Sequence, residues 1–126
     1  IEIHGGPWEV DHCRLQSNGG VIMRLLSNAS ARCTHSVLEG LDSRDKRAKM
    51  CVSAEQRSKW QGRWCVLQDA FVLVRLQHNG DVVCINSSLQ YADTAVTLND
   101  DSRVTMKATS IRRMRLGALC AFGNTQ

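Results

Sequence analysis

Seven basic residues, Arg44, Lys46, Arg47, Lys49, Arg57, Lys59 and Arg63, fall within twenty positions, with Trp60 in their midst and Trp64 following directly. Ammonium and guanidinium groups neutralise phosphates and carboxylates, and an exposed indole can stack on a base. The same residues also suit a plainer role, as the solvated outside of short helices whose tryptophans bury. A second group, Arg112, Arg113 and Arg115, lies near the C-terminus, where Arg103 and Lys107 could extend it. If the two groups share a face, a polyanion, an acidic polysaccharide or an anionic protein becomes a natural partner.

The histidines are His4, His12, His35 and His78. A ribonuclease-like centre needs a His with a carboxylate or a second His, plus a cation for the phosphate. His12 beside Asp11, or His78 near Asp81, supplies such residues in sequence only. Cys33-Thr34-His35 has the types of a nucleophile and base. No Ser-centred nucleophile elbow, phosphate-cradling glycine loop or His-x-x-x-His metal pair occurs. With aromatic residues at 5%, an aromatic sugar-stacking platform is also disfavoured. The expectation is a binding protein rather than an enzyme, without cofactor or metal.

Six cysteines in 126 residues, Cys13, Cys33, Cys51, Cys65, Cys84 and Cys120, are spread along the chain without a Cys-x-x-Cys pair. That pattern points to three disulfides in an oxidising compartment more than to a zinc knuckle. The first residue, Ile1, fits a secreted protein freed of its signal peptide. Asn28-Ala29-Ser30 matches the N-glycosylation acceptor. The formal charge of +4 is mild for a dedicated nucleic-acid binder. No apolar run approaches the length of a membrane span.

The elements that must position these residues centre on Trp64–Ser87, which reads as a β-hairpin closed by Asn79-Gly80 in a type I′ turn. That turn would pair Leu76 with Val83 and Val74 with Ile85. Residues 1–8 read as a flexible arm. Residues 21–26 fit helix slightly better than strand, and 33–64 carries capping boxes at Ser36 and Ser53 that predict short helices. Residues 94–98, 103–109 and 114–122 read as strands, and no internal repeat is evident. The predicted fold is a single α+β domain over 1–126. Its antiparallel sheet of four or five strands comes mainly from the C-terminal half, covered by short helices and stapled by three disulfides. An all-β barrel or trefoil is the alternative.

This outline resembles the small secreted cysteine-rich effectors of plant-pathogenic fungi, and among them the LARS family of avirulence proteins. The resemblance rests on the six cysteines and on Trp64-Cys65 opening the central strand. The family's Trp-Arg-x-Arg signature is absent, and Arg63-Trp64-Cys65-Val66 is the nearest segment. The resemblance implies a virulence protein that binds a host protein, is recognised by host immune receptors or masked from them, and acts outside the pathogen or inside host cells; a monomer is expected. A small basic hydrolase, nuclease or toxin acting on an anionic polymer is the competing reading.

Overall fold

The computed structural model describes residues 1–17, 19–40 and 48–122, with side chains to residue 118. Among these residues the chain is all strand and turn. Thirteen strands run as β1 (Glu2–His4), β2 (Trp8–Asp11), β3 (Arg14–Ser17), β4 (Val21–Leu26), β5 (Ser30–Thr34), β6 (Val37–Gly40), β7 (Ala48–Ala54), β8 (Lys59–Arg63), β9 (Val66–Leu76), β10 (Asp81–Ile85), β11 (Ser88–Asn99), β12 (Arg103–Lys107) and β13 (Ser110–Phe122). Every ladder between them is parallel. The chain coils as a β-solenoid, each turn stacking on the last rather than folding back on itself. No helix among the described residues is long and apolar enough to cross a membrane, which says nothing of a β-barrel.

The coil has three faces. The first is a five-stranded sheet in the order β12-β10-β8-β5-β2. The second pairs β3 with β6 and β6 with the start of β9, continuing through β11 and β13. The third stacks β1, β4, β7 and the later parts of β9, β11 and β13. Successive equivalents on the second face are Arg14, Val37, Val66, Ser88 and Ser110, so the coils measure 23, 29, 22 and 22 residues. The longest coil contains positions 41–47, outside the described residues.

Stacking equivalents line the interior in rows. Leu38, Leu67 and Leu89 form one buried row, ended by half-buried Leu15 and exposed Ile111, and Leu25, Ala54, Leu76 and Leu98 form another. On the first face Trp60 is buried, flanked in register by Ala31 and Val82. Its indole lies over Gly62, where a Cβ would overlap the six-membered ring.

The α+β expectation is therefore corrected, and so is the antiparallel sheet. Asn79-Gly80 turns the chain without closing a hairpin. β9 pairs with β6, β7 and β11, whereas β10 pairs with β8 and β12. His78 and Asn79 both take positive φ, 50° and 65°, a conformation short polar residues tolerate better than most. Gly80 serves clearance instead: a Cβ there would overlap the carbonyl oxygen of Ala54 one coil away. The capping-box segments are not helical either: Ser36 lies at the edge of β6, where its hydroxyl serves the backbone, and Ser53 lies within β7, paired with Arg24 and Arg75. Ser36 Oγ accepts from Cys13 N at 3.2 Å and donates to Thr34 O at 2.9 Å. Residues 1–8 are not a free arm either. β1 pairs with β4 and β2 with β5.

The three disulfides are likewise overturned, since Cys13, Cys33, Cys51, Cys65 and Cys84 are all free thiols. The solenoid explains why. Cys33 and Cys84 share a register position, but Gly62 lies between them, and Ser36 separates the positions of Cys13 and Cys65 in the same way. Two coils is about 10 Å, beyond the roughly 4.4–6.8 Å between Cα atoms that a disulfide spans. Cys33, Cys51, Cys65 and Cys84 act as small core residues. Burial pushes the Cys33 and Cys84 thiols up to about 12, and raises those of Cys51 and Cys65. Cys120 lies in β13, beyond the described side chains. A thiol reagent added to the native protein is expected to label exposed Cys13 quickly. The four buried thiols should react only after unfolding, as mass spectrometry of the labelled chain would show.

Candidate functional site

Side chains alternate along a strand, so each first-face strand sends every second residue outward. Stacking then arranges them in three rows. Ser30, Lys59, Asp81 and Arg103 make the first. Glu9, Arg32, Gln61, Val83 and Thr105 make the second, and Asp11, Thr34, Arg63, Ile85 and Lys107 the third. The five strands of this face carry the cations Arg32, Lys59, Arg63, Arg103 and Lys107 against Glu9, Asp11 and Asp81.

Four of those cations frame the apolar pair Val83 and Ile85 of β10: Lys59 and Arg63 on β8, Arg103 and Lys107 on β12. Four residues of strand put the members of each pair about 13 Å apart, and the two intervening strand gaps make the frame about 10 Å wide. Two adjoining hollows share Arg32 and Gln61. One, of about 250 Å³, is lined also by Glu9, Lys59, Asp81 and Val83. The other, of about 280 Å³, is closed by Thr34 and Arg63. In the first, Asp81 Oδ1 is buried without a hydrogen-bond partner among the described residues.

Three cations on the other faces are held by carboxylates, whereas Lys49, Arg75 and Arg112 there have none within ion-pair distance among the described residues. Arg24 is held by Glu55 at 2.8 Å and Arg115 by Asp93 at 3.2 Å on the third face, and Arg14 by Glu39 at 3.2 Å on the second. On the first face Arg32 meets Glu9 only at 3.9 Å, with both exposed. Among the described residues no carboxylate lies within ion-pair distance of Lys59, Arg63 or Lys107. A guanidinium without a carboxylate keeps its planar fork of donors for a ligand.

Beside the third row runs a corner where His12, His35, Trp64, Asn86 and Ala108 all take positive φ, between 48° and 57°. A continuous backbone ladder holds it: His12 N, His35 N, Trp64 N and Asn86 N each donate to the next coil at 2.9–3.0 Å. The rings stack as the coils do. His12 and His35 lie 4.8 Å apart and 9° from parallel, with Trp64 parallel to His35 at 6.4 Å. Asp11 reaches both imidazoles, with Oδ2 3.0 Å from His12 Nδ1 and Oδ1 4.0 Å from His35 Nδ1. Thr34 Oγ1 donates to Asp11 Oδ1 at 2.6 Å. That hydroxyl first, and then the His12 imidazole, hold the Asp11 carboxyl below its ordinary value.

The sequence-predicted cations scatter under this geometry. Lys59 and Arg63 belong to the first face, and Arg103 and Lys107 join them there. Lys49 sits on the third face in β7, and Arg57 on the corner before β8. Arg112 faces outward on the second face, Arg113 stacks its guanidinium over Tyr91 at 5.4 Å, and Arg115 is paired on the third. Arg44, Lys46 and Arg47 lie outside the described residues. Asn28, the predicted glycosylation site, is exposed on a corner with φ of 62°. The tryptophans divide: Trp60 is core and Trp64 is exposed. Arg32, Gln61 and Thr34 escaped the sequence reading. The signal that would have found them is the 22-residue recurrence of Cys65-Val66-Leu67-Gln68 in Ser87-Ser88-Leu89-Gln90.

Comparison with protein families, with curated proteins and with solved structures finds no match for this chain.

Proposed function

We propose that this protein is a non-enzymatic binding module, an effector that engages a host protein through an acidic, extended segment laid on the first face. The observation that carries the reading is the frame of four cations around Val83 and Ile85. Three of the four have no carboxylate within ion-pair distance among the described residues: Arg63 and Lys107 in one row, and Lys59 in the other, which also holds Asp81. Apolar contact at the centre with cations at the rim is the anatomy of a protein-recognition patch. It suits an acidic peptide better than a bare polyanion, which would leave Val83 and Ile85 without a use.

The test is binding of a synthetic peptide alternating Glu with Leu, measured by fluorescence anisotropy at two salt concentrations. Charge reversal by Arg63→Glu with Lys107→Glu is expected to weaken binding about tenfold or more, about 1.4 kcal/mol. Reversal at Arg112, on another face, should change it far less. Binding should fall as salt rises. Loss of affinity from both reversals alike, or none from either, would sink the proposal. Tighter binding of heparin or single-stranded RNA than of the peptide would redirect it to a polyanion.

The hydrolase reading draws on Asp11, His12, His35 and nearby Arg63. Both imidazoles address the same carboxylate from one side, so neither is set opposite the other as acid to its base.

A further inference from the structure

We infer that Asp11, His12 and His35 form a site for a zinc-class divalent transition metal, open to solvent at the N-terminal end of the histidine corner. The carboxylate and the two imidazoles each offer one donor atom, and the three lie within 4.8 Å of one another. Two nitrogens and one carboxylate oxygen form a donor set that suits zinc and its neighbours, whereas magnesium and calcium favour oxygen alone.

The spacing follows from the fold rather than from a sequence motif. His12 and His35 occupy the same corner position of consecutive coils, so the stacking distance sets the separation of their rings. Metal–ligand lengths of about 2.0–2.2 Å in a tetrahedron place donors about 3.4 Å apart. The His12–Asp11 pair at 3.0 Å is already close to that. That contact is to Oδ2, whereas His35 lies 4.0 Å from Oδ1, so the exposed His35 ring must turn to bring all three donors onto one ion. A supporting contact is present as well: Thr34 fixes the carboxylate by donating to Oδ1, as outer hydrogen bonds do at metal centres. Three protein ligands leave a fourth position for water or an anionic group. This site stands on its own residues and does not depend on the acidic-peptide reading.

The experiment uses the full chain, reduced and stripped of metal. Zinc is titrated by calorimetry, and cobalt by its visible absorption. Asparagine is the replacement of choice, because Asn86 already occupies the equivalent corner with φ of 50°. One zinc per chain is expected. His12→Asn and His35→Asn should each weaken it about 10- to 100-fold, in the range that loss of supporting contacts alone reaches, while Cys13→Ser leaves it unchanged. As a second readout on the unaltered protein, copper(II) should quench Trp64 emission, since the indole stacks on His35. Trp64→Phe should abolish that quenching without abolishing zinc binding. Absence of zinc binding, binding that survives the paired histidine replacement, or loss with Cys13→Ser would each overturn the site.

Discussion

Truncating Trp60 to alanine is expected to lower the stability of the fold by about 3–5 kcal/mol, measured by urea unfolding. The indole is buried at 1% exposure in the central strand of the first face, with interior neighbours above, below and beside it. Its absence leaves a void that Ala31 and Val82 cannot fill from the adjoining coils. The partner experiment concerns Gly62, two residues on and on the same inward side. A methyl group there meets the ring itself, so Gly62→Ala alone should cost about 1–3 kcal/mol by overpacking. In the Trp60→Ala background the same methyl enters empty space, and its cost should vanish or change sign. The two effects must therefore be strongly non-additive in a double-mutant cycle. Additive costs would mean that the indole does not lie over the glycine. Because each coil contacts only its neighbours, the loss should also be felt most in the coils on either side.

That pairing illustrates what could be read from the residues. Strands at 94–98, 103–107 and 114–122 were legible, although the sequence pattern carries the second two residues too far, past the corner at Ala108. Val104 and Met106 alternate with polar neighbours whether the partner strand runs parallel or antiparallel. What alternation cannot report is direction. Asn79-Gly80 carried the strongest hairpin signal in the chain, yet the same chemistry serves a corner, where Asn79 takes positive φ and Gly80 makes room for a neighbouring carbonyl. Spacing was the overlooked variable. Leu67, Leu89 and Ile111 recur every 22 positions, but the 29-residue coil that contains positions 41–47 breaks the recurrence and hides it from a short window.

The cysteines misled for a related reason: a solenoid needs small apolar residues on inward positions, and thiols meet that need without any bond between them. The site followed suit. Arg63 and Lys107 are 44 positions apart in sequence but two strands apart in space, and Asp11 meets His35 only through the stacking of coils.

Glu39 supplies the other large effect. It is 8% exposed on the second face, within an outward row that runs Gln16, Glu39, Gln68, Gln90. Donation along that row has a direction: Gln90 Nε2 donates to Gln68 Oε1 at 2.7 Å, and Gln68 Nε2 donates to Glu39 Oε2 at 2.6 Å. From the other side Gln16 Nε2 donates to Glu39 Oε1 at 2.9 Å, with the Arg14 guanidinium at 3.2 Å. Two lines of donors converge, so the residue where they meet must accept from both and donate to neither. A carboxylate does that, and an amide does not.

Burial alone pushes this carboxyl up. The hydrogen bonds from Gln68 and Gln16, with the charge of Arg14, outweigh it and hold the group below its ordinary value of 4.5. A carboxyl whose folded value is depressed contributes stability that is present above its unfolded value and is lost as pH falls through the folded one. Glu39 therefore belongs among the groups whose protonation drives unfolding below about pH 4.5. Glu39→Gln should set an amide hydrogen against an amide hydrogen and cost about 1–3 kcal/mol at neutral pH. Its cost should shrink as pH falls, because the unaltered protein is then losing the same contacts. A penalty from Glu39→Gln that stays constant from neutral pH down to the acid transition would show that the carboxylate is not the acceptor on which the row converges.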